Sequence, residues 1–251
     1  MKFSTRFSVF RAYLLFSVLL IAAGCNKSNP LVTDTPADYY PLKTGNYITY
    51  RMDSLKFTAS GTTVTIFSYL AKEVVEDSIT DNLGRASFRV VRYLNDTTGT
   101  GEWVPSIAFM VTPTSSGSIE VVENNLRFIK MVNPVQDGLF WKGNVYIDTK
   151  SDTSQVPYLD GWDYVYDSTG LPYNVLAGTI PEAVVVHEAD EVTGLGDNTF
   201  IKTIFSEEVY GKKIGPIYRR FLYSVYQAPN ADFPSGATIG YGLTFNMVDH
   251  N

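Results

Sequence analysis

The sequence predicts an all-β protein: an antiparallel meander of roughly ten strands, forming an open half-barrel, a barrel or a sandwich, behind a cleaved helical signal peptide. Three observations predict it. After residue 25 almost every segment alternates apolar and polar residues or runs as a β-branched and aromatic stretch, and the chain holds 17 Tyr, 15 Phe and 3 Trp. Gly, Pro, Asn and Asp punctuate these segments at hairpin spacing. No window beyond the N-terminus carries a useful 3.6-residue apolar stripe. The best helical candidate, Ser68 to Asp77, contains the β-branched pair Val74-Val75. There is no repeat at a solenoid or propeller period.

Residues 1–24 read as an export signal. Lys2, Arg6 and Arg11 form a basic segment, and Ala12 to Ala23 is apolar apart from Ser17. Those 12 residues suit a signal core and fall short of the roughly 20 needed to span a membrane. Ala22, Ala23 and Gly24 then lead into Cys25, the only cysteine of the chain. A lone cysteine cannot form an internal disulfide. Ala22-Ala23-Gly24-Cys25 resembles the lipobox of bacterial lipoproteins, with Ala22 where leucine is usual. The resemblance implies cleavage between Gly24 and Cys25, a diacylglyceryl group on the Cys25 thiol and an acylated new amine. Two or more chains attach stably where one binds reversibly, at about 0.8 kcal/mol per buried CH₂.

A tether is expected over residues 25–38. Asn26 to Asp38 is rich in Asn, Ser, Thr, Pro and Asp without an apolar period, which predicts disorder. One β-rich domain should fill 39–251. Its first strand places Tyr47, Thr49 and Arg51 on one face and Ile48, Tyr50 and Met52 on the other. A long β-branched strand follows from Thr62 to Thr80, with a bulge expected near Ala71-Lys72. Asp81 to Gly84 is a turn, and Arg85 to Leu94 returns. Trp103 to Pro113 is a strand, and Ile119 to Val132 a hairpin closed by Asn124-Asn125, since Asn tolerates positive φ. Pro134, Gly138 and Gly143 break regular structure around Trp141, and Asp148 to Gly161 is a polar loop. Strands follow from Trp162, Glu182, Thr199 and Ile214, with turns at Thr193 to Asn198 and around Gly211 to Pro216. The last strand puts Ile239, Tyr241, Leu243, Phe245 and Met247 on one face.

Charge narrows the partners. Without its first 24 residues the chain keeps 17 Lys and Arg against 26 Asp and Glu, a formal charge of −9. An acidic chain is a poor candidate for nucleic acid, which requires a basic stripe. It also leaves the membrane contact to the N-terminal lipid.

Two segments, Asp38 to Tyr50 (DYYPLKTGNYITY) and Glu207 to Arg220 (EEVYGKKIGPIYRR), resemble uncharacterised outer-membrane lipoproteins of Bacteroidota-type bacteria. Ile48 stands where that group usually has tryptophan. Asn133 to Asn144 (NPVQDGLFWKGN) resembles a mid-domain segment of the same group. The resemblance implies a lipid-anchored protein of the cell envelope and carries no established activity. A looser likeness, at fold level, is to the LolA/LolB-type lipoprotein carriers, open half-barrels around an apolar cavity.

Several constellations are candidates for chemistry. His187 to Glu191 (HEADE), with Glu182 nearby, gathers one His and four acids, but on a strand His187, Ala189 and Glu191 share one face and Glu188 and Asp190 the other. The segment therefore reads as a strand running out into solvent, with no metal site. Gly194 to Asn198 lacks the ligand spacing of a calcium loop. Lys212, Lys213, Arg219 and Arg220 form a basic cluster expected at a hairpin tip, with an anionic glycan or lipid headgroup as the functional reading. Trp103, Trp141 and Trp162 suit core or cavity walls before sugar platforms. Triplets beginning at Asp53, Asp77, Asp96 and Asp167 read as turn chemistry and resemble the O-glycosylation motif of the same bacterial group. With His250 one residue from the end and Cys25 an anchor, neither a His triad nor a cysteine nucleophile is expected. The reading is a non-enzymatic lipoprotein without cofactor that binds an apolar or glycan ligand or serves an envelope complex. The alternative is an envelope glycan hydrolase using two carboxylates.

Overall fold

The computed structural model describes residues 33–59, 61–194 and 199–251. The export segment, Cys25 and the tether as far as Val32 lie outside the described residues, as does most of the Thr193 to Asn198 turn.

Twelve strands form one antiparallel sheet: β1 (Tyr47–Thr58), β2 (Thr63–Thr80), β3 (Ala86–Asn95), β4 (Val104–Pro113), β5 (Ile119–Glu123), β6 (Leu126–Met131), β7 (Phe140–Trp141), β8 (Tyr164–Val175), β9 (Gly178–Thr193), β10 (Phe200–Gly211), β11 (Gly215–Gln227) and β12 (Ala237–His250). The spatial order is β6-β5-β4-β3-β2-β1-β12-β11-β10-β9-β8-β7. The first and last strands therefore pair at the centre, and two meanders run outward from them. That is more than the roughly ten expected; one strand not foreseen is β7, two residues long, inside the broken segment around Trp141. Asn124 and Asn125 close the β5–β6 hairpin at φ 53° and 63°, as their tolerance of positive φ requires. The bulge of β2 falls between Val75 and Asp77, further along than expected.

The ladder is open, but the sheet curls until its edges meet. Ile129 N on β6 donates to Gly143 O just beyond β7 (2.8 Å), and Trp141 Nε1 donates to Ile129 O (2.8 Å). The Tyr166 hydroxyl accepts from Val132 N (2.8 Å) and donates to Val132 O (2.6 Å). The larger apolar cluster then joins both meanders: Val90, Phe109 and Val121 from one, Tyr164, Val186 and Ile204 from the other. A flat sheet would leave those faces in water.

The compact unit starts at Asp34 rather than Tyr39. Asp38 Oδ2 accepts from Thr35 N and Oγ1, both at 2.8 Å, at the start of the single-turn helix α1 (Pro36–Tyr39). Tyr39 Oη donates to Asp34 (2.8 Å), Lys212 Nζ lies 2.9 Å from the same carboxylate, and Lys213 N donates to Asp38 O (2.7 Å). Residues 34–38 thus pack through polar contacts that a search for apolar period does not register. All twelve strands and both apolar clusters lie within Asp34–Asn251, so this unit carries its own core.

Candidate functional site

Along a strand every second residue faces inward. Seven strands place a charged residue in that inward phase, between or beside buried or partly buried neighbours: Glu73 between Ala71 and Val75, Arg92 after Val90, Glu123 after Val121, Lys130 after the partly buried Phe128, Glu188 after Val186, Glu208 between Ser206 and Tyr210, and Arg219 between Ile217 and Phe221. The curl brings them to one level as a connected ionic layer. Lys130 Nζ lies 2.9 Å from Glu188 Oε1 and 2.8 Å from Glu208 Oε1. Arg92 pairs with Glu73 (2.5 Å) and Glu123 (3.2 Å), and Arg219 Nη1 donates to the other Glu123 oxygen (3.1 Å). Ser206 donates to Glu188 Oε2 (2.5 Å), and the Tyr210 hydroxyl donates to Glu208 Oε2.

Burial sets the electrostatics. Lys130 and Glu208 are each 5% exposed and Glu188 is 3% exposed. Desolvation works against the Lys130 ammonium, but the carboxylates of Glu188 and Glu208 outweigh it and raise its pKa. Burial raises Glu188, whereas at Glu208 it is outweighed by Lys130 and Arg219, which lower the pKa. Glu123 is also desolvated, yet Arg219 and Arg92 pull it down to about 2.

Above this layer lies a cavity of about 760 Å³. Its floor is Arg92, Glu123, Lys130, Glu188 and Arg219. Its sheet walls include Ile107, Leu126, Phe128, Phe221 and Leu243. The remaining wall comes from the long connection between β7 and β8, through Ile147, Val156, Tyr158, Leu159 and Trp162, with the polar residues Asp148, Ser151 and Thr153 to Gln155 beside them. That connection is fixed locally. Asn144 Nδ2 donates to Leu159 O (2.9 Å), Tyr158 stacks on Tyr223 with centroids 4.6 Å apart, and the Tyr158 and Tyr241 hydroxyls lie 3.1 Å apart.

Strand register gives the site a direction. Asp34 sits at the β10–β11 turn through Lys212. Moving along β11 from that turn, Gly215 comes first, Arg219 next in the ionic layer, and Phe221 beyond it in the cavity wall. On β12 the partner of Arg219 is Phe245, and Leu243 and Tyr241 line the cavity further on. The cavity therefore lies on the far side of the charged layer from the end where the chain enters the domain.

The candidates named from the sequence are distributed differently. Glu188 does not run out into solvent; it points inward in phase with Val184 and Val186, while His187 faces the other way with its ring 5.9 Å from Phe205. The separation of His187 from Glu188 follows the strand alternation expected. The four basic residues do not form one hairpin-tip cluster. Lys212 pairs with Asp34 and Glu182 (2.7 Å), Arg219 turns into the ionic layer, and Arg220 lies over the Phe205 ring (4.8 Å). Trp162 lines the cavity, Trp141 packs on Tyr166 (4.7 Å), and Trp103 lies under the Lys72 ammonium (4.4 Å). Of the four Asp triplets only the one at Asp96 is a turn; those at Asp53, Asp77 and Asp167 lie within β1, β2 and β8. Glu73, Arg92, Glu123, Lys130 and Glu208 escaped the sequence reading. The signal that marks them is a charge at an inward position of an otherwise apolar period.

No family model and no curated protein sequence matches the chain. Among solved structures it is similar to one described as an exported protein with a YmcC-like fold from Bacteroides fragilis, at 11% identity and a TM-score of 0.38. A second is described as a lipoprotein from Parabacteroides distasonis, at 9% identity and a TM-score of 0.35. Each match covers 85% of this chain and 98% of the other. At these scores neither likeness carries an argument about function.

Proposed function

We propose that the chain is a lipid-anchored envelope protein, held at the outer membrane of a Bacteroidota-type bacterium through Cys25, whose domain binds an amphipathic small molecule without converting it. The cavity carries this reading. Its 760 Å³ falls within the roughly 300–1,000 Å³ of small-molecule sites, and it joins apolar walls to a charged floor. A purely apolar cargo would not need the floor, because unmatched charges there cost free energy against such a ligand.

A glycan fits less well. Of the three tryptophans only Trp162 borders the cavity, while Trp141 spends its indole N–H on Ile129 O. Hydrolysis by two carboxylates is also disfavoured. Glu188 and Glu208 meet at one ammonium, and all four of their oxygens already accept from Lys130, Ser206 or Tyr210. A glycosidase pair holds the scissile bond between its two carboxyls, and here the Lys130 ammonium stands in that place.

The test is a titration of the Asp34–Asn251 unit with the apolar fluorophore N-phenyl-1-naphthylamine. Saturable binding at one site is expected, with quenching of Trp162 and loss of binding in Leu126→Trp, which fills the cavity without adding charge. Absence of saturable binding, or binding unchanged in Leu126→Trp, rejects the reading.

A further inference from the structure

Resting on that reading, we propose that the cavity takes an amphiphile with an oxyanion head, carboxylate or phosphate, and takes it head first: the head meets Arg219 on the floor, and the hydrocarbon chain leaves over Tyr241 and Ile239.

The sign of the head follows from which hydrogen-bonding capacity is already used. Both oxygens of Glu123, Glu188 and Glu208 have a cation, hydroxyl or guanidinium partner. The donors are not exhausted. A guanidinium offers five N–H bonds. Arg219 spends Nη1 on Glu123, while its buried Nε has no hydrogen-bond partner. Glu208 Oε1 is 3.3 Å from that Nε, an ion-pair separation without hydrogen-bond alignment. Nη2 of Arg219 makes no hydrogen bond among the described residues. The Arg219 side chain is also the most accessible cation of the layer, 28% exposed against 10% for Arg92 and 6% for Lys130. A ligand bringing acceptors meets the unspent donors of Arg219; a ligand bringing donors meets only carboxylate oxygens that are each already engaged by a cation or a hydroxyl. Planar guanidinium forks favour carboxylate and phosphate for the same geometric reason.

The orientation follows from the order of chemistry along the strands. The charged layer is the deep end, and aliphatic and aromatic walls lie between it and the outside. On β12 the inward phase runs Phe245, Leu243, Tyr241, Ile239, and exposure climbs along it: Phe245 is buried, Tyr241 is 38% and Ile239 65% exposed. Phe67 of β2, 41% exposed, stands level with Leu243, since Ser54 of β1 pairs with both. The seven residues from Phe245 to Ile239 span about 20 Å. This apolar track leads out of the cavity away from the Asp34 end, a path suited to a hydrocarbon chain. A tail-first ligand would put methylenes on charges and its head on Ile239.

The probes are dodecanoate, dodecyl phosphate, dodecyltrimethylammonium and dodecyl maltoside, each below its micelle concentration, displacing the naphthylamine from the Asp34–Asn251 unit. The two anions should compete about tenfold or more better than the cationic and neutral chains, the scale of one charge-assisted hydrogen bond. The ratio between the two anions then separates a carboxylate from a phosphate head. Arg219→Lys keeps the positive charge of the layer and loses the fork; it should shrink, by a similar factor, the advantage of the two anions over the cationic and neutral chains, read as a ratio within the same variant protein. Ile239→Asp, at an exposed position, should weaken dodecanoate and leave octanoate unchanged. Equal or tighter competition by the cationic or neutral chain overturns the head assignment while the cavity reading stands, as does an Arg219→Lys protein that keeps the wild-type ratio. Indifference of dodecanoate to Ile239→Asp overturns the head-first path. Failure of the fluorophore itself to bind removes the cavity reading beneath both.

Discussion

Replacing Lys130 by Met isolates the charge at the centre of the ionic layer. Methionine keeps an unbranched stem of similar length against Phe128 and Tyr164, whose rings lie 4.9 and 5.7 Å from Nζ. What is lost is the cation between Glu188 and Glu208, at 2.9 and 2.8 Å. Removing one partner of a buried pair costs about 3–5 kcal/mol, because the other is left charged and desolvated. Here two carboxylates are left, so the upper part of that range applies at pH 8. The cost must then depend on pH. Burial already holds Glu188 above its ordinary value, and without Lys130 it rises further; Glu208, which Lys130 and Arg219 hold below its ordinary value, rises as well. A carboxyl with a raised folded-state pKa binds more protons folded than unfolded, so stability falls as pH rises from the unfolded value through the folded one. The variant should therefore lose about 1 kcal/mol or more less at pH 5 than at pH 8. Urea unfolding of the Asp34–Asn251 unit, followed by tryptophan fluorescence at both pH values, measures this. Adding Glu188→Gln and Glu208→Gln to Lys130→Met should restore most of the loss by removing the orphaned charges. A Lys130→Met protein within about 1 kcal/mol of wild type at pH 8, or one equally destabilised at both, refutes the reasoning.

Glu123 acts in the opposite direction: its folded pKa of about 2 lies below the ordinary 4.5, so its stabilisation is present above 4.5 and is lost as pH falls toward 2. About 3 kcal/mol is at stake, and acid unfolding of Glu123→Gln should lack that part of the pH dependence. Gly215 sits at φ +117°, and a Cβ there would lie 3.1 Å from Ile48 Cδ1, so Gly215→Val should cost more than about 1 kcal/mol in chemical denaturation. A wild-type midpoint would show that the turn relaxes freely. Cys25→Ala should move the protein from the membrane to the soluble fraction, since its acidic chain offers anionic lipid no other attachment; pelleting that survives a carbonate wash would contradict the anchor.

Much of the fold was legible because its determinants are local. Asn124-Asn125 specify their hairpin by tolerance of positive φ, and Ile48, Tyr50 and Met52 specify the inner face of β1 by alternation alone. The pairing of β1 with β12 was not legible. It joins residues about 200 positions apart, such as Ile48 with His250, and nothing in either strand names the other. The start of the domain was misplaced for a related reason, since Asp34 is held by Lys212 and Tyr39 and not by any apolar pattern of its own. The two-residue β7 pairs with β8 inside a segment broken by Pro134, Gly138 and Gly143, and two residues are too few to show an alternation.

The ionic layer was missed through a default that is usually sound. A charge between apolar residues on a strand is ordinarily assigned to the outer face, and Glu188 in His187 to Glu191 was read so. Phase argues otherwise. Glu188 follows Val184 and Val186 at intervals of two, Glu123 follows Val121, Arg92 follows Val90, and Arg219 is flanked by Ile217 and Phe221. One such residue is unremarkable; seven on separate strands, four acidic and three basic, form a set whose members satisfy one another only if the strands curl around them. The layer is costly, because well-packed apolar residues of similar volume often match or exceed the stability of buried ion pairs. Stability therefore does not account for the layer. What an apolar replacement could not supply is a guanidinium with unspent donors at the bottom of an apolar cavity, which Arg219 supplies. Six of the seven charges hold each other and position the seventh, and under the proposed function that is what the layer is for.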